Sequence, residues 1–181
     1  SLLIELVSAI AGAQILVNTV GYVKGQLDLT DKHYGYVMAA FGIGAAIAAF
    51  ASGNFDRSKN RIASLLTGGI LMCFAIAFGN YVSFITLLVL WLIAGFSQTL
   101  AEIPSQILIA EQIPKEEHGK VYGAHFAWSH LWWAIGYPIA GFTGTRFNNK
   151  EFLIGAILSG ALFIIIVLLF YPRRTSNKKS G

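Results

Sequence analysis

Cysteine is nearly missing from this sequence. Cys73 stands alone, so no intrachain disulfide can form, and within LMCFAIAF it reads as a small packing residue. Charge is scarce too: Asp, Glu, Lys and Arg make up 12%, against about 25% in a typical soluble domain. With 55% apolar residues over 181 positions, that scarcity excludes an ordinary soluble core, which would aggregate with so much apolar surface. The short motifs that carry chemistry are also missing: there is no GxxxxGK[ST], HExxH, CxxC or GxSxG. The chain therefore supplies no energy from nucleotide hydrolysis, and no enzyme or cofactor site is read from it. No basic stretch or cleavage site precedes the first apolar run, which argues against a signal peptide. The missing initiator Met predicts a piece of a longer protein.

What is present is a series of apolar runs separated by short charged turns, with a mean hydropathy of +0.62. The pI near 9.3 comes from basic residues in those turns. That is the pattern of membrane topology, not of a nucleic-acid-binding face. Six spans are predicted, at about 2–23, 34–53, 62–80, 83–110, 120–144 and 152–171, making residues 1–171 one transmembrane bundle. Residues 172–181 form a basic tail suited to anionic headgroups of the bilayer. With both ends cytoplasmic, the inside segments hold nine Lys and Arg and the outside loops four, accounting for all thirteen. The bias supports that orientation in an inner or plasma membrane.

The fifth run, GKVYGAHFAWSHLWWAIGYPIAGFTG, holds His125 and His130 among apolar neighbours. Gly136 and Gly141 read as packing positions and Pro138 as a kink. Laying Tyr34-Gly35 over Tyr122-Gly123, an offset of 88, also aligns Ala39 with Ala127, Ala46 with Ala134, Ile47 with Ile135 and Gly53 with Gly141. The same offset lays Gln14 on Glu102 and Asn18 on Gln106. Copies three spans apart cross in opposite directions, so the expectation is a 3+3 inverted repeat, an architecture of secondary transporters.

Three stretches resemble the six-helix, C-terminal half of a major facilitator superfamily transporter. They are LTDKHYGYVMAAFGIGAAIAAFASG, the loop SGNFDRSKNRIASLL, and IPKEEHGKVYGAHFAWSHLWWAIGYPIAG. In the loop, Asp56, Arg57 and Arg61 match the family's cytoplasmic signature, while Ser52 and Lys59 stand where it has glycines. The resemblance implies an all-α integral membrane protein, one half of the fold, with a missing six-helix half or a homodimer partner packed across it. The stretch VNTVGYVKG, with the histidines, resembles permeases that export nickel and related metals, although the histidine-rich tail some of them carry is absent.

A carboxylate inside a span costs about 3 kcal/mol to place, so Glu102 is the first candidate for function. Gln98 and Gln106 lie one turn to either side on the same stripe, as expected of a helix lining a polar cavity. With Gln14, Asn18, His125, Trp128 and Trp132 they make up the expected substrate or proton pathway. Glu102 and His125 are expected at similar depth on neighbouring helices, as a proton-exchanging pair or two ligands to a divalent metal. His130, about 140° round the helix from His125, is not expected to share its site. Glu5 reads either as a second intramembrane acid or as an interfacial residue. The first and fourth spans are expected to line the cavity, the third and sixth to face lipid, and the Asp56–Arg57–Arg61 loop to act as a charge latch. The expected function is proton-coupled export of a small neutral or cationic organic solute. The alternatives are nickel or cobalt efflux, with Glu102 and His125 as ligands, and a membrane scaffold or assembly partner that transports nothing.

Overall fold

The structure, a computed structural model, describes residues 2–55, 61–147 and 149–170. Asp56 and Arg57 of the signature loop and the basic tail lie outside the described residues. Among the described residues six α-helices follow one another: α1 (Leu2–Gly21), α2 (Asp31–Phe55), α3 (Arg61–Ala77), α4 (Phe84–Gln112), α5 (His118–Arg146) and α6 (Glu151–Phe170). The first continues into a wider π-helical turn, Tyr22–Gln26, closed by the Leu27 amide donating to the Tyr22 carbonyl at 3.0 Å.

Six spanning helices are expected from the apolar runs, but four of the six are both long and apolar enough to cross a membrane: α1, α2, α4 and α6. Helix α3 is shorter, at 17 residues. Helix α5 has ample length at 29 residues, but its histidines and glycines lower its apolarity.

The bundle is organised around α1, which packs most extensively on α5 and then on α6. Helix α4 packs likewise on α2 and α3, and α3 packs on α6. Small residues set the close approaches. A Cβ on Gly44 of α2 would strike the Leu92 carbonyl of α4, and one on Gly95 of α4 would strike the Phe41 carbonyl of α2. Gly136 of α5 lies against the Ala9 carbonyl and the Ala13 methyl of α1. Gly141, expected as a packing position, has open space where a Cβ would sit.

Both intrahelical prolines lie within continuous helices. Pro104 has no N–H to offer the Leu100 carbonyl one turn back. Ser64 of α3 supplies the missing donor, its hydroxyl meeting Leu100 O at 3.1 Å. At the core Trp91 is fully buried, its ring edge-on to Phe152 at 5.0 Å and its indole N–H donating to Thr19 at 2.9 Å. Exposed large apolar side chains occur on all six helices, most of them on α5 and α6, such as Trp128, Phe142 and Ile164, with others such as Ile43 and Phe50 on α2, Ile70 on α3, Leu16 on α1 and Ile85 on α4.

Candidate functional site

Helices α1, α4 and α5 enclose a cavity of about 250 Å³ lined by Glu5, Ser8, Glu102, Gln106, His125, Ser129, His130 and Trp133. Its central contact differs from the expected one. His125 Nε2 meets Glu5 Oε1 at 2.9 Å, so the imidazole of α5 pairs with the acid of α1, not with Glu102 of α4. Both side chains are about nine-tenths buried. The correction has a plain cause: α5 packs far more closely on α1 than on α4, because Gly136 lets the first two backbones approach. Glu102 instead accepts a hydrogen bond at 3.0 Å from Gln98, one turn back on its own helix.

The remaining candidates separate into three groups. Glu102, Gln106 and His125 line the cavity, and Gln98 reaches it through Glu102 and lies beside Gly12. Gln14 and Asn18 do not line it. They are bound into the α1–α5 contact: Asn18 Nδ2 donates to Gln14 Oε1 at 2.8 Å and to the Ala140 carbonyl at 3.1 Å. Thr143 also donates to Gln14 Oε1, at 2.9 Å. Trp128 and Trp132 pack against each other, their rings tilted by 42° with centroids 5.6 Å apart, and do not line the cavity; Trp133, packed over Gly12, is the tryptophan that does.

His130 is brought to the same cavity as His125, against expectation. Its Nδ1 is 2.9 Å from the Phe126 carbonyl and its ring lies over Phe126. The 140° between the two histidines forbids a shared point but not a shared elongated wall. Ser8, Ser129 and Trp133 carry no sequence signal that separates them from ordinary packing residues. Glu5 does carry one, since it is an acid within an apolar run.

Several buried polar atoms around the cavity have no protein partner: Glu5 Oε2, Ser8 Oγ and Gln98 Oε1. Buried groups are normally satisfied, so such a cluster marks a place for water or a bound molecule. Among the described residues no group of three or more His, Cys, Asp or Glu is placed to hold a metal ion.

At the end of α4, Arg61 of α3 forms a bidentate ion pair with Glu111, at 2.5 Å on both oxygens. The guanidinium holds the Glu111 carboxyl below its ordinary range. A lowered folded-state value means the pair contributes above the usual carboxylate pKa and is lost as pH falls through the depressed one. Glu111 is exposed to solvent, so the pair's contribution to stability is small.

An all-helical bundle with apolar outer faces and a polar cavity between three helices fits an integral membrane protein. The Major Facilitator Superfamily model matches residues 2–181, and the chain belongs to that family. It is therefore a membrane transporter of the major facilitator type. The comparison with curated proteins finds no match.

Proposed function

We propose that the chain forms one half of a secondary transporter that exports a small neutral or cationic organic solute in exchange for protons. The cavity of Glu5, Glu102 and His125 is its solute and proton pathway. The observation that carries this reading is how the acids are paired. Two carboxylates and two imidazoles line one cavity, but only Glu5 meets an imidazole, that of His125; His130 Nδ1 lies on the Phe126 carbonyl, and Glu102 is bonded to the Gln98 amide. An acid without a basic partner in the cavity favours a proton or a cation over an anion. A solute cation and a proton competing for that charge are coupled by their competition, without nucleotide hydrolysis.

The packing pattern supports a 3+3 repeat across six spans. Exchanging α1 with α4, α2 with α5 and α3 with α6 turns the α1–α5 and α1–α6 contacts into the α4–α2 and α4–α3 contacts. The α3–α6 contact maps onto itself. The exposed apolar faces of α2 and α5 suit a second six-helix unit, either a separate half or another copy of this chain, closing the cavity across a pseudo-two-fold axis. The basic-residue bias supports cytoplasmic ends in an inner or plasma membrane. Nickel or cobalt efflux ranks below the organic solute, because transition ions need more ligands than the Glu5–His125 pair.

The test is Glu102→Gln in the full-length protein reconstituted into vesicles. Flux driven by a pH gradient is expected to fall about 100-fold, the scale of losing a positioned proton carrier, with binding of a neutral solute retained and binding of a cationic one weakened by the loss of the charge it shares with the proton. Unchanged flux removes Glu102 from the mechanism. In cells, protection against nickel or cobalt but not lipophilic cations, abolished by His125→Ala, reverses the ranking of substrates.

A further inference from the structure

Two carboxylates are buried among the described residues, Glu5 and Glu151. Glu5 faces an imidazole. Glu151, in the first turn of α6 and only 3% exposed, faces no basic group among the described residues. Its Oε1 accepts from Gln26 Nε2 at 3.0 Å, and its Oε2 has no partner. Arg146 and Lys150, its nearest basic neighbours in sequence, are exposed and make no ion pair with it. The positive end of the α6 dipole offsets part of the charge and the Gln26 amide a further part. A bare carboxylate oxygen at this depth still calls for a positive partner.

The surroundings indicate which partner. Glu151 lines a cleft of about 270 Å³ together with Asn18, Tyr22, Gln26, Gly144 and Thr145, towards the opposite end of α1 from Glu5. Asn18 spends both amide hydrogens on Gln14 and on the Ala140 carbonyl. Its Oδ1 is thereby left as an acceptor, in space that a Cβ at Gly144 would fill. Among the described residues no Lys, Arg or His lines the cleft. Two oxygen acceptors, with no donor to them among the described residues, therefore share one small cleft with a single acid.

We propose that this cleft binds a small monovalent cation of the sodium class, held by Glu151 Oε2 and Asn18 Oδ1 with water completing its oxygen shell, as a site separate from the Glu5–Glu102–His125 cavity. Hard oxygen donors with no nitrogen or sulfur ligand suit an alkali ion and not a transition metal. A single acid balances one positive charge.

The test is thermal unfolding of the full-length protein in detergent, with sodium chloride against N-methylglucamine chloride at equal ionic strength and pH. Sodium is expected to raise Tm by a few degrees in a saturable way, as a ligand of the folded state does. Glu151→Gln should remove the rise. Glu151→Asp, which keeps the charge but withdraws it, should need at least about threefold more sodium for the same rise. Glu102→Gln should keep the response, so failure of this site and failure of the proton pathway are read separately. The proposal is overturned if sodium, lithium and potassium all leave the wild-type Tm unchanged. It is also overturned if Glu151→Gln responds like wild type, or if its only effect is on the pH dependence with no response to alkali ions.

Discussion

Replacing His125 with alanine is expected to destabilise the protein by about 3–5 kcal/mol, the cost of leaving a buried charge without its partner. Glu5 is the charge left behind, nine-tenths buried and bonded to the His125 ring at 2.9 Å. Glu5→Gln should cost much less, under about 1.5 kcal/mol, because an amide oxygen still accepts from Nε2–H of a neutral imidazole, which, unlike a carboxylate, leaves no charge to strand. The double variant should recover at least half of the His125→Ala loss. Denaturant unfolding of the full-length protein in detergent measures all three. Equal losses for the two single variants would mean that the contact acts as a neutral hydrogen bond and not as a charge pair.

The second large effect is expected where α2 crosses α4. Gly44→Ala and Gly95→Ala should each cost about 3 kcal/mol, the upper range for overpacking a closed contact. In each case the added methyl meets a backbone carbonyl of the facing helix, Leu92 or Phe41, and not the movable end of a side chain. The helices can make room only by separating along their whole contact. Gly123→Ala is the control: nothing lies within 4 Å of its Cβ position, and removing an intrahelical glycine gains about 0.5–1 kcal/mol. The same unfolding measurement decides this. A mild effect at Gly95 would show that the two backbones are farther apart than the structure places them.

The helices were legible in the sequence because a membrane span announces itself by length and apolarity, residue by residue. Glu102 was legible for a related reason, as a costly acid in an apolar run. The partner of His125 was not. Residue depth along a helix can be counted, and depth alone allows His125 to meet either Glu102 or Glu5. The choice depends on which backbones come close, and that follows from Gly136 against Ala9, a tertiary contact without local signature. Gln14 and Asn18 lie outside the α1–α4–α5 cavity for a complementary reason. A polar pair one turn apart looks the same whether it faces water or, as here, finds Thr143 and the Ala140 carbonyl on a neighbouring helix. Glu151 passed unnoticed because an acid in the first turn of a helix ordinarily sits there exposed, favoured by the dipole. Only its 3% exposure separates it from that common case.

The central claim is that the space between α1, α4 and α5 is the polar route through the protein. Thiol labelling tests it most directly. In a full-length background with Cys73 replaced by alanine, Ser129→Cys places a thiol on the cavity wall. Ser159→Cys places one in the fully buried interior beside position 73. A membrane-impermeant, water-soluble thiol reagent should modify position 129 when applied from the side on which the cavity opens, with transported solute slowing the reaction, and should leave position 159 unmodified. Labelling at 159 with none at 129, from either side of the membrane, would contradict the account.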